Sequence, residues 1–154
     1  MEKEKPRKIK AEVVIPYKIA LGQTWTRFLN MLKEEKIMGT TCKECGRVYV
    51  YPRTFCPSCF EDTSEWVEVG QEGIIDAWSY VNYSFYGMEL EIPFASAQIT
   101  LDGSNTSICH VIRGVDLSDY HKASEKIKVG GRVRVVWNEK KNGNIFDIAY
   151  FKPM

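Results

Sequence analysis

Two cysteine pairs of identical spacing constrain this 154-residue chain more than any other feature. Cys42 with Cys45 and Cys56 with Cys59 make the pattern C-x2-C-x10-C-x2-C. Two residues between cysteines let one tight turn direct both sulfurs at an ion, and a ten-residue hairpin can bring the second pair round to complete a tetrahedron. Gly46 stands where such a turn favours a residue tolerant of positive φ. The pattern therefore predicts a zinc ribbon over residues 40–70, with the four cysteines as its metal ligands.

Zinc in such a site is structural, because four thiolates leave no coordination position open for a substrate or a water molecule. Iron is the alternative, since the ligand spacing is similar to that of rubredoxin-like electron-transfer sites and thiolates bind either metal. Zinc is preferred because nothing else in the sequence indicates a redox chain.

Short runs of β-branched and aromatic residues, separated by turn signals, fill the chain from residue 71 onward. Strands are predicted near 73–82, 94–101, 105–113, 131–138 and 144–151, with a short helix between 115 and 128. Five strands with an insertion after the third have the element order of an OB-fold barrel over residues 71–154. An SH3-like barrel would also accommodate five short strands.

Residues 1–39 are interpreted as a charged arm followed by a helical segment. Trp25, Phe28, Leu29 and Leu32 recur at helical spacing, which predicts an amphipathic helix over 24–36 with Thr24 as its cap. We expect its apolar face to pack on the protein's own core, the alternative being a partner subunit. The predicted fold class is mainly β with an N-terminal helix.

Charge limits the classes of partner. The chain carries 21 basic and 20 acidic residues, and residues 71–154 carry nine basic and ten acidic ones. An electrostatic groove for single-stranded nucleic acid should be positive, so nucleic acid is unlikely as a partner. A nucleic-acid module stays the alternative function, because zinc ribbons and OB barrels both commonly bind nucleic acid and because Arg132 and Arg134 form a local basic patch.

The amino terminus and the lengths of the apolar segments predict the cellular location. The amino terminus is charged without the apolar stretch of a secretion signal, and no window approaches the ~20 apolar residues that span a bilayer. We therefore expect a cytoplasmic protein that does not insert in a membrane.

Cys109 and His110 are neighbours in a predicted strand. Adjacent strand residues point to opposite faces, so the two side chains cannot form a catalytic pair. Cys109 is interpreted as a buried, inert thiol. Because no other catalytic motif is present, the sequence indicates a protein that is not itself an enzyme.

The segment between the first two predicted barrel strands is rich in aromatic and apolar residues. Two interpretations are equally supported. The segment either folds onto the zinc module and joins the two domains, or forms a binding surface for an apolar ligand or a partner protein. The residues concerned are Tyr83, Phe85, Tyr86 and Met88.

Several runs together resemble a zinc-ribbon plus OB-fold family known as domain of unknown function thirty-five. They are CKECGRVYVYPRTFCPSC, EWVEVGQEGIIDAWSYV, the segments ITL and HVIRG, and VGGRVRVVW, and the resemblance extends from about residue 25 to residue 153. One departure is Phe60, which stands after the second cysteine pair where the family often has glycine.

The resemblance implies a non-catalytic accessory subunit for thiolase-superfamily enzymes. Such proteins bridge acetoacetyl-CoA thiolase to 3-hydroxy-3-methylglutaryl-CoA synthase and help to hold CoA, so CoA or acyl-CoA is the implied ligand. If the protein holds CoA, its adenine could stack on an aromatic ring and a phosphate could meet an arginine. The candidates are Tyr51 and Arg53 from the ribbon, with Trp78 and Tyr80 from the first barrel strand.

Overall fold

The computed structural model describes residues 15–63, 65–85, 87–88 and 90–154. The predicted charged arm, residues 1 to about 12, and Tyr86 lie outside these residues. The helices and strands are α1 (Gly22–Lys33), β1 (Met38–Thr41), β2 (Val48–Tyr49), β3 (Glu65–Glu68), β4 (Glu72–Val81), β5 (Phe94–Leu101), β6 (Ser107–Ile112), α2 (Tyr120–Lys126), β7 (Arg132–Trp137), a 3-10 turn (Ile145–Asp147) and β8 (Ile148–Pro153).

The second half of the chain closes into a five-stranded barrel of order β4-β5-β6-β8-β7. Four of its five strand pairings are antiparallel, and the pairing of β6 with β8 is parallel. Helix α2 lies in the connection between the third and fourth barrel strands, as predicted. The prediction of an OB-fold barrel is confirmed.

Alternating burial along the strands explains why these residues form a barrel. In β5, Ala95, Ala97, Ile99 and Leu101 are all buried, whereas Gln98 between them is exposed. Side chains in a strand alternate between its two faces, so this pattern directs one face to the core. The same core receives Phe151 from β8.

The cysteine block forms a separate three-stranded sheet of order β2-β1-β3. Strand β1 is central and pairs antiparallel with both neighbours. The buried Thr40 on β1 fastens the sheet to the following loop, since its hydroxyl donates to the carbonyl of Arg53 at 3.0 Å and accepts from the Arg53 N–H at 3.0 Å.

Helix α1 begins and ends earlier than predicted. It covers Gly22–Lys33, so Thr24 lies in its first turn and makes no cap; Leu21 precedes the helix without a side-chain hydrogen bond. The helix cannot continue through Glu35, whose φ is 59°. Phe28, Leu29 and Leu32 are buried in the same core as the barrel, which confirms packing on the protein's own core.

Hydrogen bonds from the β5–β6 hairpin attach the ribbon to the barrel. The Val48 N–H donates to Asn105 Oδ1, and the Asn105 N–H donates to the Val48 carbonyl, both at 2.9 Å. The Thr106 hydroxyl accepts from the Val50 N–H at 2.8 Å and donates to the Val50 carbonyl at 2.7 Å. The edge of β2 is thus paired with the barrel, and the two modules share one junction.

Candidate functional site

The four predicted metal ligands converge. The sulfurs of Cys42, Cys45, Cys56 and Cys59 all lie within 4.8 Å of one another, and the Cys45 and Cys56 sulfurs are 3.7 Å apart. A tetrahedral zinc with bonds of about 2.3 Å would place its sulfurs about 3.8 Å apart. The donor set therefore fits a four-coordinate structural zinc ion.

Both cysteine turns share one backbone design. The Gly46 N–H donates to the Cys42 carbonyl at 2.9 Å, and the Phe60 N–H donates to the Cys56 carbonyl at 2.8 Å. The residue closing each turn has positive φ, 69° at Gly46 and 61° at Phe60. Phe60 therefore adopts the conformation that glycine adopts most easily, and its presence leaves the turn geometry intact.

Tyr49 tunes the metal ligands from within the ribbon. Its hydroxyl lies 3.1 Å from the Cys56 sulfur, and this hydrogen bond lowers the pKa of Cys56 to about 6. The hydrogen bond with Cys45, with burial, raises the pKa of Cys59 to about 12. The Tyr49 hydroxyl thus favours the thiolate form of Cys56, which is the form that zinc requires.

A cavity of about 340 Å³ lies where the ribbon meets the barrel. Tyr51 comes from the ribbon, Cys109 and Val111 from β6, and Ile145 and Ala149 from the segment around β8. Strand pairing explains the opening: β6 and β8 are registered only at Ile112 with Phe151, so no ladder joins the strands beside the cavity.

Of the four residues predicted to bind CoA, Tyr51 is the one that lines this cavity. Its ring stacks on Trp25 with centroids 5.4 Å apart, and its hydroxyl donates to the Cys109 carbonyl at 3.4 Å. The stack with Trp25 and the edge contact with Phe28 hold the Tyr51 ring in place. Helix α1 therefore positions one wall of the cavity.

The other three candidates lie elsewhere. The Arg53 guanidinium lies 5.9 Å from the Tyr49 ring centroid, beside the metal ligands. Trp78 stacks on Tyr120 of α2 with centroids 5.9 Å apart, and the Tyr80 hydroxyl donates to the Leu117 carbonyl at 2.8 Å. Trp78 and Tyr80 therefore lie together, in contact with α2 and the segment just before it, and away from Tyr51 and Arg53.

The interpretation of Cys109 as a buried thiol is wrong. Cys109 is exposed, with its sulfur 3.6 Å from the Ser96 hydroxyl, because it occupies an outward position of β6. His110 takes the inward position and is 9% exposed, so the two side chains do point apart as predicted. The predicted alternation in β6 is confirmed, but its buried face carries His110 and not Cys109.

The aromatic segment between β4 and β5 does not join the modules through Tyr83 and Phe85. Both side chains are exposed, and Met88 is half-buried. Within the described residues, Asn105 and Thr106 make hydrogen bonds that join the two modules. Their turn was visible in the sequence as Asp102-Gly103, but nothing there indicated that it would pair with the ribbon.

The predicted basic patch is partly neutralised. The Arg132 guanidinium pairs with Asp102 at 2.6 Å and with Glu72 at 3.0 Å. Lys122 of α2 pairs with Asp116 at 2.9 Å. These contacts remove two cations from any phosphate-binding surface. Within the described residues, no helix is long and apolar enough to cross a bilayer.

Two family models match the chain. Residues 29–65 match the domain described as "ChsH2, rubredoxin-like zinc ribbon domain", and residues 66–138 match "ChsH2, C-terminal OB-fold domain". Together they cover more than half of the sequence and meet between residues 65 and 66, within β3.

Curated and solved relatives agree with these matches. A DUF35 domain-containing scaffold protein of Methanocaldococcus jannaschii is 31% identical over 123 residues, which cover 77% of this chain and 82% of that protein. A DUF35-family protein of unknown function from Sulfolobus solfataricus has a similar structure, with a TM-score of 0.61, 22% identity and coverage of 86% and 84%. The "Ltp2-ChsH2(DUF35) aldolase" has a TM-score of 0.65, 18% identity and coverage of 88% and 98%.

Proposed function

The chain belongs to the DUF35 family of zinc-ribbon plus OB-fold proteins, and we propose that it is a non-catalytic scaffold subunit that docks on a thiolase-superfamily enzyme and helps to hold its CoA thioester. The scaffold role is supported by the Methanocaldococcus relative, which is itself a scaffold protein. Association with an enzyme is supported by the aldolase neighbour, which pairs a DUF35 domain with Ltp2.

The observation that carries the docking half is an apolar segment ahead of α1, residues 15–21. Ile15, Tyr17 and Ile19 are 74%, 77% and 71% exposed, and Leu21 is 48% exposed. Burying a side chain of this size contributes roughly 1.5–3 kcal/mol, which packing among the described residues does not supply. Apolar residues at every second position suit addition to a partner's sheet edge, since all four would then share one face.

The ligand half rests on the cavity at the ribbon–barrel junction. An apolar cavity lined by a few placed polar groups is the usual form of a small-molecule site. At about 340 Å³ it holds only part of a CoA thioester. We therefore propose that this chain supplies a portion of the CoA site, with Tyr51 at the cavity, and that the partner enzyme supplies the rest. Arg53, Trp78 and Tyr80 do not line the cavity and would contact CoA only in its part outside the cavity.

Purification of the chain from its native source, followed by identification of the co-eluting enzyme, tests the docking half. We expect stoichiometric co-elution with an enzyme that acts on CoA thioesters. Replacing Ile15, Tyr17 and Ile19 by serine should abolish co-elution while zinc content and melting temperature are unchanged, because these side chains pack on nothing in the described fold.

A matched control is the double change of Tyr83 and Phe85 to serine, which removes equally exposed aromatics from the other apolar segment. If co-elution is lost only in this control, the docking surface is the β4–β5 segment and the assignment to residues 15–21 is wrong. Calorimetry with CoA and acetoacetyl-CoA, on the chain alone and with its partner, tests the ligand half. Absence of heat in both formats would contradict it.

A further inference from the structure

The residues that line the cavity at the ribbon–barrel junction include one arginine that makes no ion pair with another described residue. Arg113 lines it and is half-buried, and none of the ion pairs among the described residues involves its guanidinium. By contrast, Arg132 is paired with two carboxylates. Backbone anchoring fixes the base of the Arg113 side chain, since its N–H donates to the Phe151 carbonyl at 3.0 Å.

The remaining lining is largely aliphatic and aromatic. The apolar side chains that line it include Leu90, Phe94, Val111, Ile145 and Ala149. Such walls favour an aliphatic body over a pantetheine arm, whose two amides would lose their hydrogen bonds to water. A cavity with one guanidinium and apolar walls is suited to a ligand that has one anionic group on an apolar chain.

We propose that this cavity binds an aliphatic carboxylate of medium length, with the carboxylate paired to Arg113 and the hydrocarbon between β6 and β8. The planar guanidinium can donate two parallel hydrogen bonds to a carboxylate, and partial burial strengthens such a pair. The size follows from the volume. An engineered cavity of about 150 Å³ accepts benzene, so about 340 Å³ accepts roughly twice as many atoms, about ten to thirteen.

His110 also lines the cavity but adds no positive charge to it at pH 7. It lines the cavity at 9% exposure, and its Nδ1 has no hydrogen-bond partner among the described residues. Burial lowers the pKa of His110, so its imidazole is neutral at pH 7. Arg113 is therefore the one cation lining the cavity within the described residues, and selectivity for an anionic end depends on this side chain.

The carboxylate has two possible sources, a free acid or the far end of an acyl group carried by CoA. Only the second rests on the proposed function, in which a CoA thioester is held near the junction. An ω-carboxyacyl thioester would place its carboxylate on Arg113 and leave CoA outside the cavity, where a partner could bind it.

Alkylation of Cys109 reports occupancy, because Cys109 is exposed and is one of the residues that line the cavity. We expect octanoate, measured on the intact zinc-loaded chain, to slow modification of Cys109 by iodoacetamide, and octanol to slow it far less. A Cys109→Ser variant corrects for any labelling of the zinc ligands. Calorimetry with octanoate gives the affinity independently of the thiol.

Arg113→Gln should weaken octanoate binding at least tenfold, whereas Arg134→Gln, a matched exposed arginine on β7, should leave it unchanged. Ala149→Phe should fill the cavity and abolish binding while melting temperature and zinc content show that the variant is folded. Equal protection by octanol and octanoate, or unchanged affinity in Arg113→Gln, would overturn the proposal. Tighter binding of octyl phosphate than of octanoate would overturn the choice of carboxylate.

Comparison of adipoyl-CoA with hexanoyl-CoA separates the two sources. Preference for adipoyl-CoA in the Cys109 assay supports the thioester as the carrier, and binding of the free acid alone supports the free carboxylate. Neither result depends on a partner enzyme. Failure of octanoate binding with intact co-elution therefore removes this inference alone, and loss of co-elution with intact octanoate binding removes the docking proposal alone.

Discussion

Phe60 closes the second cysteine turn with a φ of 61°, and its side chain is 80% exposed. A β-carbon in left-handed backbone costs roughly 1–2 kcal/mol because it approaches the following carbonyl oxygen. The exposed ring regains little of this energy by packing. Phe60→Gly should therefore stabilise the zinc-loaded protein, since glycine adopts positive φ without that contact.

The magnitude follows from two opposing contributions. Relief of the backbone strain contributes roughly 1–2 kcal/mol, and the greater freedom of glycine in the unfolded chain removes about 0.4–1 kcal/mol. The difference between these two ranges is about 0–1.6 kcal/mol, with a centre near 0.8 kcal/mol. For a chain of this size that raises the melting temperature by roughly 1–4 °C.

Phe60→Ala separates the ring from the backbone, because alanine keeps the β-carbon and removes the phenyl group. We expect Phe60→Ala to match the wild type within about 0.5 kcal/mol and Phe60→Gly to exceed both. Thermal unfolding is measured by circular dichroism at a fixed, saturating zinc concentration, so that metal binding contributes equally. A Phe60→Gly protein less stable than Phe60→Ala would refute the assignment of strain to this turn.

Three further outcomes are expected. Replacing Cys56 by serine should abolish stoichiometric zinc binding and lower the melting temperature far more than replacing Cys109 by serine. The reason is that the free energy of zinc binding, about 10–16 kcal/mol, also stabilises the fold. Metal analysis checks this, and stoichiometric iron in the wild type would contradict the zinc assignment. Thr106→Val should lower the free energy of unfolding, measured in urea, by about 2 kcal/mol, because it removes two hydrogen bonds to Val50 across the module junction. An unchanged urea midpoint would show that the junction is stable without these hydrogen bonds. Lowering the pH below about 6.5 should lower the free energy of unfolding of the wild type more than that of His110→Leu. Burial lowers the pKa of His110 in the folded protein, so below this pH the imidazole is protonated more in the unfolded chain than in the folded one. Urea midpoints that change in parallel from pH 7.5 to 5 in the two proteins would contradict this.

Local patterns predicted the elements well because their causes are local. The cysteine spacing determines which sulfurs can reach one ion, and the alternation in β5 determines which face is buried; both features are confirmed in the structure. Strand β8 shows the limit, because Ile145–Asp147 reads as strand by composition but forms a 3-10 turn, with the Asn144 side chain accepting from the Phe146 N–H.

Properties that depend on distant residues could not be read in this way. The buried face of β6 is decided by the neighbours of the strand in the barrel, so alternation alone left Cys109 and His110 interchangeable. The cavity arises where β6 and β8 separate beyond their single registered pair, and no sequence pattern marks that separation. Arg113 gained its significance only when the fold placed it beside these apolar walls.

The zinc ion and the cavity are coupled through a few residues, although one is structural and the other is a ligand site. Tyr49 contacts the Cys56 sulfur, and two residues later Tyr51 forms the ribbon wall of the cavity. Loss of the metal would free Tyr49, whereas Tyr51 keeps its contacts with Trp25 and the Cys109 carbonyl, and Val50 keeps its hydrogen bonds to Thr106. Metal removal should therefore weaken octanoate protection of Cys109 while the barrel stays folded. The four thiolates then act in ligand binding without any contact to the ligand, because they fix the position of the chain that contacts it.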